Sequence, residues 1–130
     1  MNKREFGWIG EASAEGYLNS LGFETVGKNV YVGRCEIDLI VKSDTHILFV
    51  EVKTRRQLPD VPSPFGRPAT AVNAAKRTNL LTAVKRYIHE NRESIEGLQP
   101  RIDIVEVYVD PRGDEYRVLD VKHFPNAVHP

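Results

Sequence analysis

Two β-rich runs, Glu36-Ile37-Asp38-Leu39-Ile40-Val41 and Ile47-Leu48-Phe49-Val50-Glu51-Val52-Lys53, are separated only by Lys42-Ser43-Asp44-Thr45-His46. So short a connection makes them an antiparallel hairpin. Side chains alternate along a strand, so Glu51 and Lys53 point to one side while Val50 and Val52 point to the other. If the hairpin turns symmetrically around Asp44-Thr45, Asp38 falls opposite Glu51, with Cβ atoms about 5 Å apart. Two carboxylates so opposed repel each other, on a face otherwise lined by Ile40, Ile47 and Phe49. Something cationic must compensate them.

A Mg²⁺ ion held by one or two carboxylates, with water and a phosphate completing its octahedron, meets that need. Lys53, two residues along on the same face, is then in position to orient an attacking water or offset charge on a phosphoryl transition state. Spacing alone leaves a second reading open, an exposed salt bridge between Lys53 and either acid.

Around this hairpin the chain reads as α-β-β-β-α-β-β. Phe6, Ile9, Ala14, Tyr17, Leu18 and Leu21 recur at helical spacing over residues 4–21, and Gly22 ends that helix. Residues 23–31 form a strand weakened by Gly27, with Gly33 as the turn before the hairpin. Residues 57–68 hold Pro59, Pro62, Pro64, Gly66 and Pro68, which suit a mobile loop rather than a helix or central strand. Helical spacing returns over 69–91 with Val72, Ala75, Leu80, Ala83, Val84, Tyr87 and Ile88, leaving Lys76, Arg77, Lys85 and Arg86 on the exposed side. Residues 101–109 form a strand, Asp110-Pro111-Arg112-Gly113-Asp114 a turn, and residues 115–121 a last strand. The fold class expected is α/β, a mixed sheet flanked by helices, in a single domain over residues 1–130.

Lys plus Arg (18) equals Asp plus Glu (18), so no excess of positive charge announces a polyanion partner. The basic pairs Arg55-Arg56 and Lys76-Arg77 are candidate phosphate contacts, with a solvated face as the alternative. One cysteine, Cys35, excludes a disulfide framework and a Cys-rich zinc site, and suits a reducing cytoplasm. The four histidines lack ligand spacing. No apolar run reaches signal-peptide or membrane-span length, so no membrane partner is expected. Trp8 is expected in the core or an interface rather than as a base-stacking platform.

Asp38, the apolar run after it and Phe49-Val50-Glu51-Val52-Lys53-Thr54 resemble the Asp…(Asp/Glu)-x-Lys signature of the PD-(D/E)XK nuclease superfamily, which includes restriction endonucleases and archaeal Holliday-junction resolvases. A closer resemblance is to the YraN-type family of bacterial proteins, similar to those resolvases. It runs through Gly10-Glu11, Ala14 and Tyr17-Leu18, then Glu36 to Ile40, Phe49 to Arg55, Phe65-Gly66, Ala71-Val72 with Lys76, Arg101 to Val105, and Pro125-Asn126-Ala127. The chain departs from that family in carrying Arg34-Cys35 before Glu36, where members usually have Gly.

The resemblance implies a restriction endonuclease-like core and a metal-dependent endonuclease acting on DNA, with branched or recombining DNA as a candidate substrate. Asp38, Glu51 and Lys53 would be catalytic, and Glu11 would be a helix-borne acid joining Asp38 and Glu51 on Mg²⁺, for which Mn²⁺ substitutes. Glu36 shares a face with Asp38 and is either a supporting partner or a solvated strand end. Asp103 is either a support or an edge position. A homodimer is expected, through Phe6, Trp8 and Ile9 or the strand over 115–121, since one centre cuts one strand. Two other classes remain: a non-cleaving nucleic-acid-binding module that keeps the nuclease fold, and a protein-interaction domain whose hairpin acids are surface.

Overall fold

A computed structural model describes residues 3–59, 73–113 and 115–129. Its elements are α1 (Lys3–Ser20), β1 (Glu24–Val32), β2 (Cys35–Lys42), β3 (His46–Arg56), α2 (Ala74–Glu90), β4 (Gln99–Asp110) and β5 (Arg117–Val128). The strands form one sheet in the order β1-β2-β3-β4-β5. Only β3 and β4 run parallel, because only they are joined by a helical crossover. The expected α/β architecture and element order are therefore observed.

The two helices cover opposite faces of the sheet. On one face α2 lays Leu80, Ala83 and Val84 against Ile37, Ile40, Ile47, Phe49, Ile102 and Ile104. On the other, α1 lays Ala14 and Leu18 against Leu39, Val41, Leu48, Val50, Val105 and Val107. Covering both faces explains why β3 and β4 read as near-continuous apolar runs.

Gly10 sets how closely α1 can lie on the sheet, since a Cβ there would overlap the Thr54 side chain on β3. At its far end Gly22 takes φ +97°, the Phe23 amide donates to the Leu18 carbonyl at 3.1 Å, and Leu21 is left exposed instead of joining the apolar stripe.

The second helix begins at Ala74, where the Asn73 side chain accepts from the Lys76 amide at 2.8 Å. Its expected start over residues 69–72 lies outside the described residues, as do Phe65-Gly66, Ala71-Val72 and the proline-bearing stretch from residue 60 on. Ala75 is exposed, so the apolar face starts only at Leu80.

The last strand is displaced from the expected residues 115–121, starting at Arg117 and running on to Val128. Proline is tolerated there because β5 is an edge strand, and the register slips between Ile102 and Ile104 with Asn126 at φ 51°. Among the described residues no helix is long and apolar enough to cross a membrane.

Candidate active site

The hairpin register is the one expected from a turn about Asp44-Thr45: Lys42 pairs Ile47, Val41 pairs Leu48, Ile40 pairs Phe49 and Leu39 pairs Val50. The ladder stops one step before Asp38 and Glu51. There the Asp38 carboxylate substitutes for a backbone acceptor, taking the Val52 amide at 2.9 Å.

The strand on the other side is also disturbed. Lys28 pairs Leu39 and Val30 pairs Ile37, while Asn29 between them takes the left-handed φ of 50°. Ile37 packs with the α2 core and Leu39 with the α1 core, although alternation should put them on one face. Asp38 thus sits at a break in β2 and reaches both sides of the sheet, lining a groove under α1 and another beside α2.

Three acids converge at that break. One carboxylate oxygen from each of Glu11, Glu36 and Asp38 lies within 4.8 Å of the others. Asn29 bridges two of them, its Nδ2 donating at 2.9 Å to both Glu11 and Glu36, and the Tyr31 hydroxyl donates to Glu36 at 3.1 Å. Neither Asn29 nor Tyr31 stood out in the sequence; an Asn in a strand is the only signal. Burial, then the Glu51 charge, raise the Asp38 pKa from 3.8 to about 7; the Val52 amide opposes this, and Glu11 and Glu36 add to it.

Glu51 stands beside this cluster rather than within it. Its Oε1 accepts from Lys76 in a very short ion pair and lies 3.4 Å from Lys53 Nζ. Burial and the neighbouring Lys76 lower the Lys53 pKa against the pull of Glu51. Burial also disfavours the Lys76 charge, but the contact with Glu51 outweighs it and raises that pKa. Lys76 is the stronger partner of Glu51, which leaves Lys53 the lysine readier to give up a proton.

The basic residues expected to meet phosphate each have a partner within the fold. Lys76, expected on the exposed side of the helix as a phosphate contact, is exposed and pairs with Glu51. Arg55 turns to the buried Glu106, Nε to Oε2 at 3.3 Å. Arg77 donates to the His129 carbonyl, and Arg56 stacks over Phe6 at 5.2 Å. Asp103 is neither an edge residue nor a support for the metal-side acids. It is fully buried on β4, on the α1 face, bound by Arg101, His123 and the Asn126 amide. Trp8 is 66% exposed rather than core, at the rim of the α1 groove. Cys35 is half-buried, and burial with the Glu51 charge pushes its thiol pKa up, so it is no reactive nucleophile.

Residues 10–107, a span that includes Glu11, Glu36, Asp38, Glu51, Lys53 and Lys76, match the family model described as "Uncharacterised protein family UPF0102". A UPF0102 protein of Acetivibrio thermocellus is 38% identical over 127 residues, 97% of this chain and 92% of its own length. One of Caldicellulosiruptor saccharolyticus is 35% identical over 127 residues, covering 98% and 99%. One of Syntrophotalea carbinolica is 38% identical over 118 residues, covering 91% and 86%.

Proposed function

The chain belongs to the UPF0102 family, and from the acids gathered at the break in β2 we propose that it is a metal-dependent endonuclease hydrolysing phosphodiester bonds of DNA. The observation that carries this reading is the convergence of Glu11, Glu36 and Asp38 beside the Glu51–Lys53 pair.

The donor set fits Mg²⁺ or Mn²⁺: it is all carboxylate oxygen, without the imidazole or thiolate that zinc prefers. Asp38, raised to about 7, carries a charge that the protein's own cations leave uncompensated. Glu11 and Asp38 would hold the ion, with Glu51 and Glu36 as further carboxylates at its sides. When bound, such an ion supplies positive charge for a phosphoryl oxygen and makes a water more acidic.

The chain's own groups do the remaining work. Lys53, with its lowered pKa and its place beside Glu51, orients the attacking water and can take or return a proton. Lys76, reaching in from the first turn of α2, offsets negative charge on the phosphate. Val52 holds Asp38 in place through its amide.

The reading is tested by incubating labelled branched, nicked and linear DNAs with Mg²⁺ or Mn²⁺. Cleavage by the wild type that is lost in both Lys53→Ala and Asp38→Asn supports it. The Lys76–Glu51 ion pair, which already satisfies one acid without any metal, favours a second reading as a binding module that keeps the nuclease fold. DNA bound but uncut under every metal condition selects that one.

The working unit is proposed as a cytoplasmic homodimer, since one centre cuts one strand. The exposed Trp8 and the exposed Val118 on the β5 edge are its candidate contacts. Sedimentation with and without junction DNA tests it, a monomer in both conditions rejecting the dimer.

A further inference from the structure

A groove of about 850 Å³ leads away from Asp38 and Glu51, between α2 and the β1–β2 turn. Its acids, Glu36, Asp38 and Glu51, belong to the candidate active site. The other polar side chains are Lys76, Asn79, Thr82 and Arg86 from α2, Arg34 from the turn and the capping Asn73, with the Thr82 hydroxyl donating to the Thr78 carbonyl at 2.9 Å. On α2 these residues recur every three or four positions and so form one stripe. All four are exposed, as is Arg34.

The two arginines are available to a ligand. Among the described residues Arg34 has no hydrogen-bond or ion-pair partner. Among the same residues Arg86 pairs with Glu90, one turn along the same helix at 2.6 Å, with both side chains more than half exposed. A surface pair of that kind contributes little and yields readily to a stronger anion. Arg86 also lies over the β1–β2 turn, its Nη1 3.2 Å from where a Cβ on Gly33 would stand. By contrast, Arg55 and Arg77 are already engaged within the fold, with Glu106 and the His129 carbonyl.

Arginine and asparagine side chains lining one open groove are groups that hold a phosphodiester backbone without reading bases. From Lys76 to Arg86 the helix is about 15 Å long, the axial rise of about four phosphates at ~3.4 Å per strand step. We propose that this groove is the track for one nucleic-acid strand, with Arg34 and Arg86 neutralising phosphates to one side of the cleavage point and Asn79 hydrogen-bonding the backbone between them. The assignment rests on the nuclease reading and adds to it the residues that hold the substrate. It also reconciles a net charge of zero with a polyanion ligand: the cations that meet phosphate line the groove that leads away from the acids.

The test is fluorescence anisotropy with labelled single-stranded and duplex DNA over a series of salt concentrations, in an Asp38→Asn background that prevents cutting. Each lost phosphate contact should flatten the slope of log K against log salt by about 0.9 on duplex, or about 0.7 on single strands. At 0.1 M salt that is a loss of roughly fivefold to tenfold in affinity for each of Arg34→Gln and Arg86→Gln. Asn79→Ala should weaken binding without changing the slope. Lys85→Gln, on α2 but outside the groove, is the control and should change neither, and a thermal melt checks that each variant folds. Binding that leaves the double arginine variant with the parental slope on both DNAs overturns the track and spares the nuclease reading. Absence of binding by the parent protein at low salt overturns both.

Discussion

Asp38 and Asp103 are carboxylates set into neighbouring parts of one sheet, and their surroundings are opposite. Asp103 is fully buried, and every partner it has favours its charge: Arg101 at 2.8 and 2.9 Å, His123 at 2.7 Å and the Asn126 amide at 3.0 Å. Burial alone would raise its pKa, but these donors outweigh burial and hold it below the ordinary value of 3.8. His123 is itself steadied by the Tyr17 hydroxyl at 3.0 Å, so the network ties β4, β5 and α1 together.

Asp38 is more exposed to solvent, has one donor, and faces Glu51, Glu11 and Glu36; its pKa rises to about 7. A folded chain pays for an uncompensated acid of this kind, whereas the Asp103 network strengthens the fold. The difference separates a carboxylate built for stability from one kept ready for a cation.

The sharpest break between the two comes from amide substitutions. Asp38→Asn should lower cleavage by about 10²–10³-fold, the scale of losing one electrostatic contact to a transition state. Its melting temperature at neutral pH should stay level or rise, because like-charge repulsion is relieved. Asp103→Ala should behave the other way, costing about 3 kcal/mol in urea denaturation by stranding Arg101 and His123, with cleavage per folded molecule retained.

A smaller effect is expected at Gly10, where the helix that carries Glu11 meets β3. Gly10→Ala should cost about 1–3 kcal/mol through the clash with Thr54 and weaken metal uptake by shifting Glu11. Gly10→Ala combined with Thr54→Ala should recover much of both.

A further difference lies in the pH dependence of the metal-free protein. Asp38 binds its proton more tightly folded than unfolded, so its contribution is fully present below about pH 4 and is lost as pH rises through about 7. Asp103 does the reverse: its contribution is present above the unfolded value and lost as pH falls through its lowered folded pKa. Each slope is capped at about 1.4 kcal/mol per pH unit for one proton. Between pH 4.5 and 7.5, Asp38→Asn should gain on the wild type in urea midpoint; parallel curves would remove Asp38 from the list of strained groups.

The hairpin was legible because its turn is short and its period regular, so the register from Lys42–Ile47 to Leu39–Val50 followed from residue numbers, although the ladder ends before Asp38 and Glu51. The approach of Glu11 needed the family resemblance, since periodicity locates a residue on a helix but not the distance from that helix to a sheet. Gly10 sets that distance, and a lone glycine in a helix does not announce it. Asn29 and the break in β2 were illegible because they depend on both neighbouring ladders failing at the same step. Lys76 was legible as an exposed basic residue, but not its reach to Glu51, because helical spacing gives no hint that the first turn of α2 overhangs that acid. The course of β5 past Pro125 was hidden because proline marks a strand's end except on an edge, and edge position is a property of the whole sheet.

The central claim, that the acids at the break in β2 bind a divalent cation while the buried acid of β4 serves only the fold, is tested most directly by calorimetric titration of Mn²⁺ and Mg²⁺. Wild type, Asp38→Asn and Asp103→Asn are compared at pH 7.5, each first shown to be folded. Saturable uptake by the wild type and by Asp103→Asn, with none by Asp38→Asn, is the result expected. Uptake by Asp38→Asn as tight as that of the wild type, or none by the wild type, contradicts it.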